Sequence, residues 1–483
     1  MMAAAKTPLE DIVESLGPRL SSKGQTYLIS DTKTFSETFT SWSDFNKKVP
    51  SAVIKIHTVG DALETVLWLT SNSVPFVIKA GGHGNFCTIG KEGVIIDLSN
   101  MKRVTLHEDS VTVEAGILTD ELISTLYPQG RCVVSGGCGG VGVSGSCLAG
   151  GLGPLIGLHG LISDNILSAR VITAAGELIE VSKTKNPDLF WALRGAGMRF
   201  GFVVELTFRT YPLSTLGSDD GSIWEMTLMW GEEQLEDLVE ALNGLGWTKG
   251  EAMGYFGFVH VKEKESDKIS PVCLAILHYF GPTSAAEEYF KPLLSLSPFH
   301  ALSPPPQAQP VRIPYNLINA LQVPSQKHGG FKSLFGVGVQ RLSVPGMRKI
   351  WDRYTQFVST NPDAYQSAVL VELFSVEKVR EVGRKDDTAF PHRDVNIWAL
   401  PQLWYNDPST EPAATKFGNE VRKMLQDEDF GSGGKVKAYV NFNRGDESII
   451  DTYGSKERVA RLQELKKEWD PRSLFGDLVP SLK

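Results

Sequence analysis

Several features that would assign a protein to a class are missing from this sequence. Its 483 residues contain only 5 cysteines, an odd number that shows neither a CxxC pair nor a metal-ligand spacing, so we expect no disulfide framework and no metal site. They are Cys87, Cys132, Cys138, Cys147 and Cys273. The uncharged apolar run of ~18 residues that a bilayer-spanning helix needs is also missing.

The sequence also has fewer positive than negative charges, and its first residues lack the apolar stretch expected of a secretory signal. The 48 lysines and arginines are outnumbered by 56 aspartates and glutamates, which gives a net charge of −8 and no expectation of a cationic surface for nucleic acid. The first residues reach Glu10 and Asp11 before the apolar stretch of a secretory signal could form. We therefore expect a cytoplasmic protein, monomeric or homodimeric, with neither nucleic acid nor membrane as a partner.

What the sequence has in excess is glycine. It supplies 47 residues, and much of the excess lies between Ala80 and Gly201, where close approach to the main chain is indicated. Short β-rich runs alternate with helical ones from Ala52, and after about Ser214 long amphipathic stretches alternate with strand-like runs. The fold class predicted is α+β. The predicted strands are 52–57, 74–79, 94–98, 104–107, 111–115, 202–213 and 436–442, with a hairpin over 169–182 that turns at Ala175 and Gly176; the predicted helices are 61–71, 119–126 with Thr119 as its cap, and 456–469.

Two glycine-rich passages could carry chemistry. In IKAGGHGN, Gly81 and Gly82 could form a nest of N–H groups for a diphosphate beside His83, although the motif alone favours a plain turn with a solvent-facing histidine. The second passage contains GVGVSG (140–145), a formal match to the dinucleotide motif G-x-G-x-x-G. A Rossmann site also needs a helix directly afterwards and an acidic residue that ends the next strand, and the glycine-punctuated sequel and the placement of Asp164 disfavour both.

Taken together, five segments resemble one family. AGGHG, the passage from VSGGCGG to TFRTYP, FPHRD, YVNF and YGSKERVARLQELKKEWDPRSLF occur in the order found in berberine-bridge-enzyme-like flavoproteins, from about Pro50 to Phe475. The resemblance implies a two-domain p-cresol-methylhydroxylase-type FAD-binding fold with an antiparallel-sheet-plus-helices substrate domain. It places the FAD-binding domain at 1–213, with its core from about 50, the substrate-binding domain at 214–434, and a returning C-terminal segment at 435–483.

The resemblance also assigns cofactor-binding residues. It implies FAD bound bicovalently, through His83 at the flavin 8α-methyl and through Cys138 at C6, and it leaves Cys87 and Cys147 as core thiols. Lys79 stands where many relatives have arginine, and Val141 occupies a position that favours oxygen access. The other implied contacts are Lys79, Ala80, Gly81 and Gly82 at the pyrophosphate, Gly84 beside His83, Gly136, Gly137, Gly142 and Gly145 on the isoalloxazine side, Gly201 and Val203 on the adenine side, and Asn441 at the flavin ring.

The positions where the family often carries a catalytic base hold other residues here. The second tyrosine of YxNY is Phe442, and the acidic or amide position after FPHR falls on Ala399 or on Gln402, depending on whether one counts from Arg393 or from Trp404. None of these side chains is a useful base. The base must come from another residue or from the substrate, and the candidate residues are Tyr439, Tyr405, His328 and Glu372.

The resemblance implies an FAD-linked oxidase that passes substrate hydride to the flavin and then to O2, releasing H2O2, in intracellular natural-product biosynthesis. An apolar or aromatic small molecule is the expected substrate, and the aromatic residues that could line its site are Trp224, Trp230, Phe256, Tyr279, Tyr315, Trp398 and Trp404. The alternative is a flavoprotein cyclase or Diels-Alderase-like pericyclase with a partly or wholly structural flavin. A third interpretation is a degenerate flavoprotein that acts as a binding module.

Overall fold

The computed structural model describes most of the chain, and its elements confirm the α+β class. The described residues are 11–262, 269–296, 309–383, 386–428, 436–476 and 482. Residues 1–10, on which the prediction of no secretory signal largely rests, lie outside the described residues. Among the helices described, none combines the length and the apolar character needed to cross a membrane.

The strands and helices are numbered in chain order. Within the described residues the strands are β1 (Gln25–Leu28), β2 (Ala52–Lys55), β3 (Phe76–Lys79), β4 (Val94–Asp97), β5 (Val104–Leu106), β6 (Ser110–Glu114), β7 (Arg131–Cys132), β8 (Ile166–Ile172), β9 (Leu178–Ser182), β10 (Phe202–Arg209), β11 (Tyr211–Pro212), β12 (Ser222–Trp230), β13 (Ala252–Lys262), β14 (Ile269–Tyr279), β15 (Val311–Pro314), β16 (Phe331–Leu334), β17 (Val337–Val339), β18 (Ala368–Phe374) and β19 (Ile397–Tyr405). The helices are α1 (Ile12–Ser15), α2 (Thr32–Thr38), α3 (Val59–Ser71), α4 (Thr119–Leu126), α5 (Val143–Leu148), α6 (Ile156–His159), α7 (Pro187–Ala196), α8 (Leu235–Gly244), α9 (Thr283–Leu294), α10 (Val344–Thr360), α11 (Glu377–Gly383), α12 (Glu411–Asp427), α13 (Ile449–Tyr453) and α14 (Lys456–Trp469).

Two larger sheets, together with the two-stranded pair of β7 and β11, form the part of the molecule that contains the glycine-rich passages. The first has the order β1-β2-β4-β3, with β2, β4 and β3 parallel, and its core includes apolar residues of α3. The second is antiparallel, in the order β5-β6-β10-β8-β9. Its antiparallel pairing excludes the Rossmann arrangement, which requires parallel strands. A helix does follow GVGVSG, since α5 begins inside the motif, so the expectation that no helix would form there was wrong.

An eight-stranded antiparallel sheet makes up the centre of the remaining chain. Its order is β15-β12-β14-β13-β18-β19-β16, with β17 also paired to β19. Helices α8, α9, α10 and α12 cover one face and share a core with it. The other face is turned toward the glycine-rich passages, because the hydroxyl of Tyr255 in β13 lies against Gly137. The domain boundaries at 213 and 434 stay predictions.

Two local predictions were wrong. The segment 436–442 contains a 3-10 helix, Val440–Phe442, in place of the predicted strand, because its apolar residues Tyr439 and Val440 pack into the core without strand pairing. Thr119 is the first residue of α4 and does not cap it; its hydroxyl donates to the main-chain oxygen of Val141 at 3.0 Å.

Candidate active site

The two glycine-rich passages touch through their main chains. A Cβ on Gly81 would lie 2.6 Å from the nitrogen of Gly142 and 2.8 Å from the oxygen of Gly140. A Cβ on Gly142 would in turn lie 2.8 Å from the nitrogen of Gly81. Gly82 has a φ of +68°, a conformation that side chains other than glycine rarely adopt. Glycine is therefore required by contact and conformation at this junction.

A cavity of about 1120 Å³ opens between these passages and the eight-stranded sheet. Sixteen of the predicted site residues line it, and three do not. The residues that line it are Ala80, Gly81, Gly82, His83, Gly84, Gly137, Cys138, Val141, Gly142, Gly145, Gly201, Val203, Gln402, Tyr439, Asn441 and Phe442; the other three are Lys79, Gly136 and Ala399.

His83 presents an imidazole to this cavity. Its Nε2 atom is buried and has no hydrogen-bond partner among the described residues, and its ring stacks on Trp42 with centroids 5.6 Å apart. Burial, assisted by the positive charges of His328 and Lys332, lowers the pKa of His83 to about 3. The imidazole is therefore neutral at physiological pH and can act as a nucleophile.

Cys138 lies on the second passage and lines the same cavity. Burial raises the pKa of its thiol to about 11, against hydrogen bonds that lower it. Its thiol is protonated at neutral pH, so bond formation at this sulfur needs a proton acceptor. The thiol of Cys87 also lines the cavity, and the prediction that it belongs to a core was wrong, whereas Cys147 is fully buried as expected.

Lys79 does not line the cavity. Its ammonium pairs with the buried carboxylate of Asp97 at 2.9 Å and donates to the oxygen of Thr40 at 3.1 Å. The two strands that carry this pair are adjacent and parallel, with Lys79 and Asp97 in register. The structure therefore makes Lys79 a link between β3 and β4, and its predicted contact with the pyrophosphate stays a prediction.

The far end of the cavity is formed by three distant segments. Residues 73–78, 198–203 and 472–476 contribute to its lining. The ring of Phe475 packs edge-on against Phe76, with centroids 5.8 Å apart, and Arg472 donates to the oxygen of Ala174 at 2.8 Å. The C-terminal segment thus closes the end at which Gly201 and Val203 were predicted to meet adenine.

The sheet wall of the cavity comes from alternate residues of β13, β18 and β19. Tyr255 and Glu372 are register partners, and both face the cavity. The Tyr255 hydroxyl and the Oε2 atom of Glu372 are buried without a hydrogen-bond partner among the described residues. Burial raises the pKa of the Glu372 carboxyl from 4.5 to about 8. This wall therefore holds a carboxyl group that can exchange a proton near neutral pH.

These residues fit a flavin. The partnerless Nε2 atom of His83 faces a cavity that is bounded by glycine main chain, and a Cβ on Gly145 would meet no atom within 4 Å. Flat ring systems and diphosphates are held by such main-chain surfaces.

Comparison with known proteins identifies the family. The FAD binding domain family matches residues 50–182, and the family described as berberine and berberine like matches residues 438–477. The FAD-linked oxidoreductase OXR1 of Pyricularia oryzae is 32% identical over 413 residues, which cover 83% of this chain and 78% of that protein. The chain is a berberine-bridge-enzyme-like FAD-linked oxidoreductase. The FAD-linked oxidoreductase hasG of Aspergillus fumigatus is 29% identical over 98% of this chain and 99% of its own.

Solved structures share the fold of this oxidoreductase. Glucooligosaccharide oxidase from Acremonium strictum, described with a 6-S-cysteinyl, 8α-N1-histidyl FAD, has a TM-score of 0.80 at 20% identity and covers 98% of this chain and 99% of its own. The Physcomitrella patens berberine-bridge-enzyme-like protein 1 has a TM-score of 0.79 at 21% identity, with 97% of both chains covered. The p-cresol-methylhydroxylase-type FAD-binding fold is thereby confirmed.

The structure decides between the two positions proposed on β19 of the oxidoreductase. Gln402 is opposite Ala368 of β18, and both line the cavity. Ala399 is opposite Val371, and both belong to the core beneath the helices. Because side chains alternate between the two faces of a strand, positions 399 and 402 point to opposite sides. Gln402 is therefore the cavity residue, and the placement of Ala399 in the site was wrong.

The C-terminal motif of the oxidoreductase is held by its own hydrogen bonds. The Tyr439 hydroxyl accepts from the main-chain nitrogen of Gly151 at 3.0 Å and from Nδ2 of Asn441 at 2.8 Å. Asn441 also donates to the oxygen of Ser146 at 3.1 Å. Burial raises the pKa of Tyr439 far above its ordinary value, so this phenol stays protonated. Tyr439 is a poor base, although it lies in the cavity.

Several other candidates lie outside the site. Tyr405 is fully buried and donates to Glu411 in the core, whereas His328 is exposed and reaches the site only through an edge-on contact with the His83 ring. Of the seven aromatic residues expected around the substrate, Trp404 lines the cavity, whereas Phe256 borders it but packs its ring against Phe258 in the core beneath the helices, with centroids 5.6 Å apart. The prediction was wrong for the other five, which pack in the cores: Trp224, Trp230, Tyr279, Tyr315 and Trp398.

Tyr255 and Trp42 are among the cavity residues that the sequence prediction missed. Tyr255 lies in AMGYFGFVHVK, whose alternation could have marked a strand with one face turned to a cavity, but the sequence does not say which face. Trp42 lies in a stretch without regular structure, where no periodic signal exists. Its role follows only from its contact with His83.

Proposed function

We propose that the protein is an oxidase that holds FAD through His83 and Cys138 and oxidises a largely apolar small molecule with O2 in the biosynthesis of a natural product. When bound, FAD accepts two electrons from a substrate and transfers them to O2, which yields H2O2. The observation that carries the proposal is the pairing, across one cavity, of the predicted attachment residues with a buried carboxyl group on the sheet wall.

Two features support covalent attachment. His83 is neutral, because its pKa is lowered to about 3, and its Nε2 atom has no hydrogen-bond partner among the described residues. Cys138 lies on a separate passage that also lines the cavity, so the two residues can reach one ring from different segments. The glycine-rich passage that carries Cys138 touches the passage that carries His83, through the contact of Gly142 with Gly81.

Glu372 is the base that the geometry favours. An effective general base has a pKa near the working pH, and the pKa of this carboxyl is raised to about 8 by burial. Phe442 cannot accept a proton, Gln402 is an amide, and Tyr439 stays protonated. Tyr255, beside Glu372, has a free hydroxyl that can hydrogen-bond the same substrate group.

The rest of the sheet wall supports an apolar substrate. Seven of the fourteen cavity residues on strands β13, β14, β16, β18 and β19 are aliphatic, and only Tyr255, His260, Glu372 and Gln402 carry polar groups apart from the indole of Trp404. The aliphatic residues are Val259, Leu274, Ile276, Leu334, Ala368, Leu370 and Leu400. A polyhydroxylated sugar would leave most of its hydroxyl groups without partners against such a surface. We therefore expect a substrate different from those named for the oligosaccharide oxidases that share the fold.

The oxidase proposal is tested by H2O2 release. A panel of aromatic and terpenoid alcohols and amines is incubated with the purified protein in air, and peroxide is measured. Anaerobic addition of an active compound should bleach the flavin absorbance near 450 nm, roughly the band of an oxidised flavin. Turnover that proceeds without bleaching and without peroxide would contradict the proposal.

The attachment proposal is tested by denaturation. Flavin should stay with the chain after acid precipitation of the wild type and of the His83→Ala and Cys138→Ala single variants. The double variant should release it. Complete release from the wild type would refute both attachment assignments.

A cyclase is the second candidate function. Phe442 and Gln402 at the family's base positions and the aliphatic wall favour a cavity that folds a reactive substrate, since confinement alone lowers the barrier of a cyclisation. A cyclase would convert its substrate to an isomer of equal mass over many anaerobic turnovers. Strict dependence on O2 would exclude it.

A further inference from the structure

Lys332 is a buried lysine that the proposed chemistry does not use. It is 0 % exposed and lies in β16 directly opposite Trp404 of β19. The three hydrogen bonds described for its ammonium group all end on main-chain oxygens, of Trp42 at 2.7 Å, Lys327 at 2.6 Å and Gly329 at 2.6 Å. Burial of a cation without a bonded carboxylate is costly, so a role beyond packing is indicated.

The charged form of Lys332 matches these three main-chain oxygens in its number of N–H donors. It has three N–H donors for three oxygens, whereas a neutral amine has two. It also lies over the indole ring of Trp404, 4.2 Å from the centroid, and over that of Trp42 at 5.1 Å. A cation is attracted to the face of an indole, so Lys332 ties the sheet to the segment that carries Trp42.

Trp42 transmits this restraint to His83. The main-chain nitrogen of Trp42 donates to Gly82 at 3.0 Å, and its indole N–H donates to the oxygen of Ser325 at 2.7 Å. The indole then stacks on the His83 imidazole at an interplanar angle of 19°. Lys332, Trp42 and His83 thus form a continuous chain of contacts that ends at the cavity.

We propose that Lys332 is a positioning residue for flavin attachment, which acts through Trp42 to hold the imidazole of His83 toward the cavity. The inference rests on the proposed function, because it requires His83 to be an attachment residue. Lys332 itself does not line the cavity.

The attachment step balances with O2 as the oxidant. One C–N bond forms between the imidazole and the flavin 8α carbon, while one C–H bond of the methyl group and the imidazole N–H bond break. The two hydrogens are taken up as two protons and two electrons by the ring system. O2 removes both protons and both electrons and leaves as H2O2.

The charges around the chain of contacts predict its pH dependence. The charged groups that face Lys332 are Lys327 and Asp44, which pairs with Lys47 at 3.1 Å. Those that face His83 are His328 and Lys332, and Lys79, paired with Asp97, acts on His328. Burial lowers the pKa of Lys332 to about 8, with Asp44 opposing the shift. Above that pH the amine has one donor too few for its three oxygens, while His83 stays neutral throughout. Attachment should therefore slow as the pH rises through about 8.

The test uses the full chain in a Cys138→Ala background, so that His83 is the sole attachment residue. Purified protein is incubated with excess FAD between pH 6 and 9.5, and the covalent fraction is read as flavin fluorescence in a denaturing gel and by peptide mass. We expect Lys332→Met to slow attachment at least tenfold and to remove the decline above pH 8. Lys91→Met, which removes an exposed lysine outside this chain of contacts, is the matched control and should behave as the parent.

Chemical rescue separates positioning from general structural damage. Lys332→Ala should regain a large part of the attachment rate when propylammonium is added, because that cation supplies the same three donors. Attachment in folded Lys332→Met at the parent rate and with the parent pH profile would overturn the inference. If the Lys332 variants do not fold, Trp42→Leu replaces them, and an unchanged rate in that variant would also overturn it.

Failure of the proposed function gives a different result. In that case the Cys138→Ala parent itself loses all its flavin on denaturation. A parent that keeps its flavin, together with unaffected Lys332 variants, refutes only the inference.

Discussion

The cavity has two unlike walls. One is built from glycine main chain, where Gly81 and Gly142 touch and Gly145 leaves open space. The other is built from side chains on the eight-stranded sheet, where Tyr255, Glu372 and Gln402 stand among aliphatic residues. The main-chain wall selects a ligand by its shape, because few side chains project from it. On the sheet wall, each single substitution changes the chemical groups that a ligand meets. The proposed cofactor site and the proposed substrate site therefore lie in separate parts of the chain.

The largest expected effect comes from a methyl group on the main-chain wall. Gly81→Ala places a Cβ 2.6 Å from the nitrogen of Gly142, so the two passages must separate. We expect loss of bound flavin and a destabilisation of about 1–3 kcal/mol, as for overpacked cores. Flavin content and thermal unfolding measure the two effects.

Gly145→Ala is the control for that prediction. Its Cβ would meet no protein atom within 4 Å, so the variant should unfold at the wild-type temperature while its flavin content falls. Equal stability of the two variants would show that the passages do not depend on their contact.

The next effect belongs to the sheet wall. Glu372→Gln removes the carboxyl group but keeps its size, and loss of a general base typically costs a factor of about 10²–10⁴ in rate. In the wild type, kcat/KM should rise with pH around a pKa of about 8, because the carboxylate is the active form, and the variant should lack this rise. Flavin content should be unchanged.

The same carboxyl group predicts a stability difference. Its pKa is raised on folding from 4.5 to about 8, so the folded state retains a proton that the unfolded state releases, and stability falls as the pH rises through this interval. Glu372→Gln should therefore gain stability relative to the wild type between pH 5 and 8, approximately the interval of this shift. Thermal unfolding at both pH values checks the sign.

A smaller effect should separate the two faces of β19. Ala399→Leu inserts a side chain into the packed core and should cost about 1–3 kcal/mol of stability without changing KM. Gln402→Leu faces the cavity and should change KM with a stability change within about 0.5 kcal/mol. A change in KM caused by Ala399→Leu alone would reverse the assignment of the faces.

The smallest expected effect is at the C-terminal motif. Asn441→Ala removes hydrogen bonds to Tyr439 and Ser146, which corresponds to about 1 kcal/mol. Thermal unfolding should show this loss, and flavin content should fall as well, because Asn441 lines the cavity and is the predicted contact of the flavin ring. Asn443→Ala, a nearby buried amide with a long 3.3 Å bond to Thr452, is the comparison.

The main-chain wall was largely predictable, and the side-chain wall was not. Glycine excess marked the first wall because contact between main chains demands glycine, as at Gly81 and Gly142. The second wall depends on register between strands distant in the sequence, such as Tyr255 with Glu372, and no local pattern contains it. Counting along β19 could not choose between Ala399 and Gln402 until β18 was placed beside it. The partners of Lys79 and Lys332 could not be predicted from the sequence, because tertiary contacts determine which groups a charged side chain meets.

The segment of residues 472–476, which closes one end of the cavity, has a consequence for the order of synthesis and folding. Phe475 is synthesised long after Phe76, the ring it packs against, so this end of the cavity closes only after residues 472–476 have been made and have folded back. Chains that stop before residue 472 should therefore retain less flavin than the parent chain.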